Sequence, residues 1–412
     1  MRVMRRRRLP RPLLTPLAAF LVVLPATPAV ADGTGSGTTV ALPVLSSVLD
    51  ENQACRRSSP ARATAVPWEQ QSLQLSRTWR FASGSGVTVA VVDTGVSVKA
   101  PSLKGRVTAA GAAGADCVGH GTFVAGLVAA AASEGIGFAG VAQETRVLGV
   151  RGTDARGTAT AATVAAGIRT AVARGADVVS VSAALPSGSA ALTSAVREAA
   201  AHDVLVVAAA VPDAPTGSES SGTAAPAPRD FWPAAQDGVL SVLDVAVDGK
   251  RPTGSYETGS ADLAAPGDGV VGIGPEGSGH YIGSGASLAA GFAAGAAALV
   301  RSAHPELSAE QTARRLTATA YPDVVPRLDP YAAVTGVADA PVAARAPAAE
   351  RPGPALRLPE DTGAGPAGRA VLIASVAAVV VLLVAWAAVV VPRGRARGWR
   401  GPGDKARAAS SD

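Results

Sequence analysis

The sequence predicts an α/β sandwich on a mostly parallel sheet, followed by one C-terminal membrane-spanning helix. Three observations carry this. Residues 87–92, Val-Thr-Val-Ala-Val-Val, form a continuous apolar run of the kind buried on both faces of a parallel sheet. From Trp68 to about Ala338, β-rich runs alternate with alanine-rich helical runs, the rhythm of βαβ units. Residues 371–391 are 21 charge-free, overwhelmingly apolar positions, against the roughly 20 needed to cross a bilayer core.

The elements follow in chain order. Arg5 to Arg8 and Arg11 precede an apolar stretch over 13–24 and the small residues Ala29-Val30-Ala31, which predicts a signal peptide over 1–31. A retained signal anchor is the alternative; the short, proline-interrupted apolar run favours cleavage. Residues 32–64 are a polar extension with little apolar periodicity. The body, 65–338, has further predicted strands at 146–150, 178–181 and 204–209. Its predicted helices are 122–132, 160–174, 192–202, 287–303 and 308–318. The last opens on Ser308-Ala-Glu-Gln311, a capping box in which serine and glutamine satisfy each other's free backbone donors. Residues 339–369, rich in Ala, Pro, Gly and Arg, bury too little apolar surface to fold and read as a linker. The span covers 370–391. Arg393, Arg395, Arg397 and Arg400 follow at once in the tail, 392–412, which predicts a cytoplasmic C-terminus and an extracytoplasmic body at the cell membrane.

This topology accounts for the charge. The chain totals +5, yet six Lys/Arg and no acid precede Asp32, and six Lys/Arg against two acids follow Val391. The exported part between them is net acidic, so the basic balance belongs to membrane targeting and a nucleic-acid partner has no support. Cys55 and Cys117 both lie in the exported part, where an even number favours one disulfide; two free thiols are the alternative. Two cysteines and four scattered histidines predict no metal site and no cofactor.

Three short strings carry chemistry. Asp93 ends the first strand before Thr-Gly, at the carboxyl edge where such sheets gather catalytic groups. A carboxylate there can hold the tautomer of an imidazole; an ordinary turn aspartate is the plain alternative. His120 stands between Gly119 and Gly121, ahead of a helix, where a histidine can act as a base for a hydroxyl or simply cap. The two glycines are read as letting backbone approach substrate. Ser287 opens the helix 287–303, and its backbone N–H, at a helix start, suits a site where negative charge develops. Alone it is a common N-cap. Together the three are a nucleophile, a base and an orienter.

With Gly86-Val-Thr-Val-Ala-Val-Val-Asp-Thr-Gly95, Asp116-Cys-Val-Gly-His-Gly-Thr122, Gly140-Val-Ala142 and Asp262-Leu-Ala-Ala-Pro-Gly267, the chain resembles the subtilisin-like serine peptidases. More narrowly it resembles the mycosins, membrane-anchored proteases of type VII secretion. The resemblance implies a three-layer sandwich, with Asp93 as orienter, His120 as general base and Ser287 as nucleophile. It implies peptide or protein substrates, chemistry without a metal, and a type VII secretion membrane complex as a partner. Ser182, Ala183 and Ala184 match the strand that binds substrate backbone, without its usual Leu-Gly ending. Cys55, in the extension, matches a cysteine that pairs with Cys117, laying the extension along the rim of the active site.

The departures matter. The family carries a Gly-Asn pair after the strand matching 204–210, whose asparagine donates to the oxyanion. Here that stretch reads Ala208-Ala-Ala-Val-Pro-Asp213, and the only asparagine in the chain is Asn52. The oxyanion hole is thereby reduced to the Ser287 backbone. Loss of one such donor costs about 10²–10³ in turnover, a figure taken from a subtilisin itself. Gly285-Ala286-Ser287 replaces Gly-Thr-Ser, and Gly291 replaces a proline. The sequence thus predicts a slow endopeptidase, with a catalytically impaired structural subunit of a secretion complex as the alternative. A cell-surface binding module on a stalk is a third class, and it leaves the three strings as coincidence.

Overall fold

The computed structural model describes residues 40–213, 227–336 and 366–398. The expected signal peptide, the first residues of the expected extension, residues 214–226, nearly all of the expected linker and residues 399–412 lie outside these. The chain divides into two compact units, Met1–Asp339 and Ala340–Asp412.

In the first unit the elements are α1 (Trp68–Ser72), α2 (Leu75–Thr78), β1 (Thr88–Asp93), β2 (Val107–Ala109), α3 (His120–Ala129), β3 (Arg146–Arg151) and α4 (Ala161–Ala173). Next come β4 (Val178–Val181), α5 (Ala190–Ala201), β5 (Leu205–Ala209), β6 (Val239–Val245), β7 (Leu263–Pro266), β8 (Val270–Ile273) and β9 (His280–Gly283). Three helices close it: α6 (Ala286–Ala303), α7 (Ala309–Ala318) and α8 (Pro330–Thr335). Strands β2-β3-β1-β4-β5-β6-β7 form one parallel sheet, and β8 and β9 an antiparallel hairpin. One face of the sheet is covered by α3 and α6 and the other by α4 and α5, which gives the three layers. Both faces of β4, β5 and β6 are therefore buried, as their near-continuous apolar runs require.

The four expected strands are present. The helix at Ser308 has its capping box: Ser308 N–H donates to Gln311 Oε1 at 2.8 Å and Gln311 N–H to Ser308 Oγ at 3.2 Å. Expectation and structure differ at the start of the helix after Gly119. It begins at His120, two residues before the expected Thr122, because the Asp116 side chain caps it from outside: Oδ1 accepts from Gly119 N–H and Oδ2 from Thr122 N–H, each at 2.8 Å. Residues 40–64 form no helix or extended strand, but they pack: Leu45 and Leu49 are buried, and Leu45 N–H donates to Ile282 of β9.

The second unit contains one described helix, α9 (Pro366–Ala396). Its residues from Val371 onward are exposed and apolar over a length that suits a membrane span. Helix α6 is also long and apolar, but it is buried.

Candidate active site

Strand β1 lies between β3 and β4, so its carboxyl end falls where the strand order reverses, the place where open parallel sheets bind ligands. Asp93 is the last residue of β1 and is buried. Its Oδ1 accepts from Thr94 N–H at 2.6 Å, leaving Oδ2 to face His120. His120 is the first residue of α3, and Gly119 before it takes φ +89°, a conformation that favours glycine. Gly121 shows why that end of the helix reaches the sheet. A Cβ there would sit 2.0 Å from Gly95 O and 3.0 Å from Asp93 Cβ. The two glycines thus serve internal packing: Gly121 lets α3 press on β1, and Gly119 lies against Pro275 and Leu45.

Ser287 is held from behind. Residues 263–266 of the Asp262–Gly267 motif are β7, and Gly267 O accepts from Gly285 N–H at 2.7 Å, which fixes the turn into α6. Ser287 is then its second residue and fully buried.

These three elements bring the three side chains together. His120 Nδ1 is 2.8 Å from Asp93 Oδ2, and His120 Nε2 is 3.0 Å from Ser287 Oγ. Burial would depress the imidazole, but the Asp93 carboxylate, and Asp213 after it, outweigh burial and push it up to about 10. Burial also opposes the charge on Asp93, yet His120, aided by Ser182 and Thr94, holds that carboxyl below its usual value.

A fourth side chain joins them. Asp213 Oδ1 accepts from Ser287 N–H at 3.0 Å, and its Oδ2 accepts from Ser287 Oγ–H at 2.7 Å and lies 3.6 Å from His120 Nε2. Sequence reasoning noted this position only as lacking an asparagine. The available signal was that an aspartate, nearly the shape of asparagine, stands four residues past β5.

Ser182, Ala183 and Ala184 lie at the carboxyl end of β4, half-buried. They do not line the cavity of about 400 Å³ beside His120, whose walls include Leu45, Val48, Gln53, Asp213 and Leu288. The extension therefore forms one side of the cleft, and the Cys55–Cys117 disulfide fastens it three residues from His120. Among the described residues no cluster of His, Cys, Asp or Glu could hold a metal ion.

A three-layer parallel sheet with Asp, His and Ser assembled at its carboxyl edge defines the subtilisin-like class of α/β proteins. Residues 84–352 match the Subtilase family, and the chain belongs to that family. It is 32% identical over 409 residues to Mycosin-3 of Mycobacterium tuberculosis (strain ATCC 25618 / H37Rv), covering 81% of this chain and 88% of that protein. To Subtilisin DY of Bacillus licheniformis it is 35% identical over 243 residues, 58% of this chain and 84% of that one. Among solved structures it is similar to the MycP3 protease from the type VII (ESX-3) secretion system, with TM-score 0.58 and 28% identity over 72% of this chain and 97% of that one. It is also similar to a chain in the periplasmic assembly from the ESX-5 inner membrane complex, with TM-score 0.59 and 27% identity over 72% and 91%.

Proposed function

We propose that this chain is a mycosin-like serine endopeptidase, tethered outside the cell membrane and working beside a type VII secretion membrane complex. The observation that carries the chemistry is the unbroken line Asp93 Oδ2, His120, Ser287 Oγ, with steps of 2.8 and 3.0 Å. On this reading Ser287 Oγ attacks a peptide carbonyl carbon while His120 Nε2 takes its proton, and Asp93 holds the proton on Nδ1. The tetrahedral intermediate collapses, the leaving amine takes the proton from Nε2, and the acyl group stays on Ser287. Water, deprotonated by the same imidazole, then releases the acid. Ser287 N–H is the oxyanion donor, and residues 182–184, half-buried at the carboxyl end of β4 and outside the cavity beside His120, pair with substrate backbone as the resemblance implies. The likenesses to Mycosin-3 and to the ESX-5 assembly support the setting. Helix α9, ending on Arg393 and Arg395, supports the tether, with the body outside and the tail inside.

The test is active-site labelling of the detergent-solubilised full chain with a fluorophosphonate. Label is expected on Ser287 and is expected to vanish in Ser287→Ala, in His120→Ala and after heat denaturation. A folded chain that stays unlabelled from pH 5 to 10, in the wild type and equally once the Asp213 carboxylate is removed, overturns the reading. The Asp213 carboxylate against Ser287 N–H favours a second reading, a structural subunit of the secretion complex. In that case Ser287→Ala restores secretion to a deletion strain as fully as the original chain. Failure to restore it, at normal protein levels, counts against that role.

A further inference from the structure

We propose that Asp213 is an internal anion seated in the oxyanion hole, where it holds the Asp93–His120–Ser287 group at rest. The inference rests on the peptidase reading and deepens it. Three contacts carry it. Ser287 N–H, the backbone donor an oxyanion needs, already donates to Asp213 Oδ1 at 3.0 Å. Ser287 Oγ donates its single proton to Asp213 Oδ2 at 2.7 Å, so that proton is turned away from the base. His120 Nε2 has Asp213 Oδ2 at 3.6 Å and Ser287 Oγ at 3.0 Å, which completes a consistent chain: imidazolium to hydroxyl to carboxylate.

The seat is shaped for the carboxylate. A Cβ on Gly285 would stand 2.0 Å from Asp213 Oδ1, so the bare glycine provides the space. An ionised carboxylate there can only accept hydrogen bonds, and it repels a second negative oxygen where a donor would stabilise it. The charges agree with the geometry. The imidazole meets two carboxylates, Asp93 from the end of β1 and Asp213 from beyond β5, and together they favour its protonated form, which cannot accept the Ser287 proton. Behind Asp213, Asp244 of β6 is pushed up, chiefly by burial, with the charge of Asp213 adding to the effect.

Asp213→Asn keeps the shape, removes one negative charge and supplies an amide donor. The full chain in detergent, as wild type and Asp213→Asn, is reacted with a fluorophosphonate across pH 5 to 10, with fold checked by circular dichroism and Tm. The expected result is labelling of Ser287 faster by about 10²-fold in the variant, the scale of one oxyanion donor, with the rising limb moved to lower pH. Asp213→Ala, which removes the charge without adding a donor, is expected to fall between the two and decides the matter if the asparagine variant does not fold. Labelling of the folded variants no faster than wild type overturns the proposal while leaving the peptidase reading in place. Silence of all three folded proteins overturns the peptidase reading and this inference with it.

Discussion

Asp116 is the residue that fixes how the base meets its orienter. Besides capping α3, its carboxylate accepts from Thr122 Oγ1 at 2.6 Å and from Thr94 Oγ1 at 2.8 Å, and Thr94 Oγ1 in turn accepts from Gly121 N–H. One buried side chain thus ties the turn after Asp93 to the helix that begins with His120. Burial, with Asp93 adding a smaller like-charge effect, pushes its carboxyl up despite the bonds from Thr122 and Gly119. Replacement by alanine leaves several buried donors without a partner, so Asp116→Ala is expected to cost about 3 kcal/mol. Urea denaturation of the variant checks this; a loss under 1 kcal/mol contradicts the assigned role. Neither Asp116 nor Asp213 was legible as a functional residue from residue type alone. The strings around Asp93, His120 and Ser287 were, because each marks the end or the beginning of an element.

At the scale of elements, the hairpin β8–β9 hangs on a buried acid. Glu69 of α1 is fully buried, and its Oε1 accepts from Val271 N–H of β8 at 2.8 Å, while Oε2 has no partner. Burial pushes this carboxyl up to about 7 against lesser lowering by backbone hydrogen bonds. A carboxyl raised on folding favours the protonated folded state, so its contribution is fully present below about 4.5 and is lost as pH rises through about 7. Glu69→Gln keeps the acceptor without the charge. The variant is expected to match wild type at pH 4 and to exceed it by on the order of 1–3 kcal/mol at pH 8. Parallel Tm curves across that range contradict the assignment. Among the elements that sequence reading missed, β2, β7, β8 and β9 have three or four residues each, and only pairing in the folded chain makes them strands; β4 is as short, but three of its four residues are valine, which marks it as a strand by residue type. β6 is longer, but buried Ser241 and Asp244 interrupt its apolar run.

At the scale of the whole molecule, the extension is part of the body. Arg56 N–H donates to Cys117 O, His280 N–H to Ala61 O and Gly137 N–H to Ala63 O, so residues 56–63 run across α3's approach and the hairpin. The disulfide closes a separation of 62 residues. The chain-entropy model gives such a loop about 4 kcal/mol. Cys55→Ser is expected to lower stability toward that value, measured by denaturant in oxidising buffer, and reduction of wild type should reproduce the loss. A variant as stable as wild type contradicts it. The layer order was legible because buried parallel strands have an apolar signature; the extension's place at the rim of the active site was legible through the resemblance at Cys55, and the Cys55–Cys117 disulfide bears it out, whereas the backbone hydrogen bonds of residues 56–63 have no signature in residue type.

One feature of α6 bears on biogenesis. On the proposed topology this helix is threaded through the translocation channel before folding claims it, and a channel tests each apolar stretch for release sideways into lipid. Partition into lipid is driven by Leu, Ile, Phe and Val. α6 offers only Leu288, Phe292, Leu299 and Val300 among alanines and glycines, and carries Arg301. α9 is filled with valine and leucine. Alanine packs tightly in a protein interior yet gives lipid little to hold, so the same composition that builds the centre of the sandwich lets it pass, and the passage ends at the last helix.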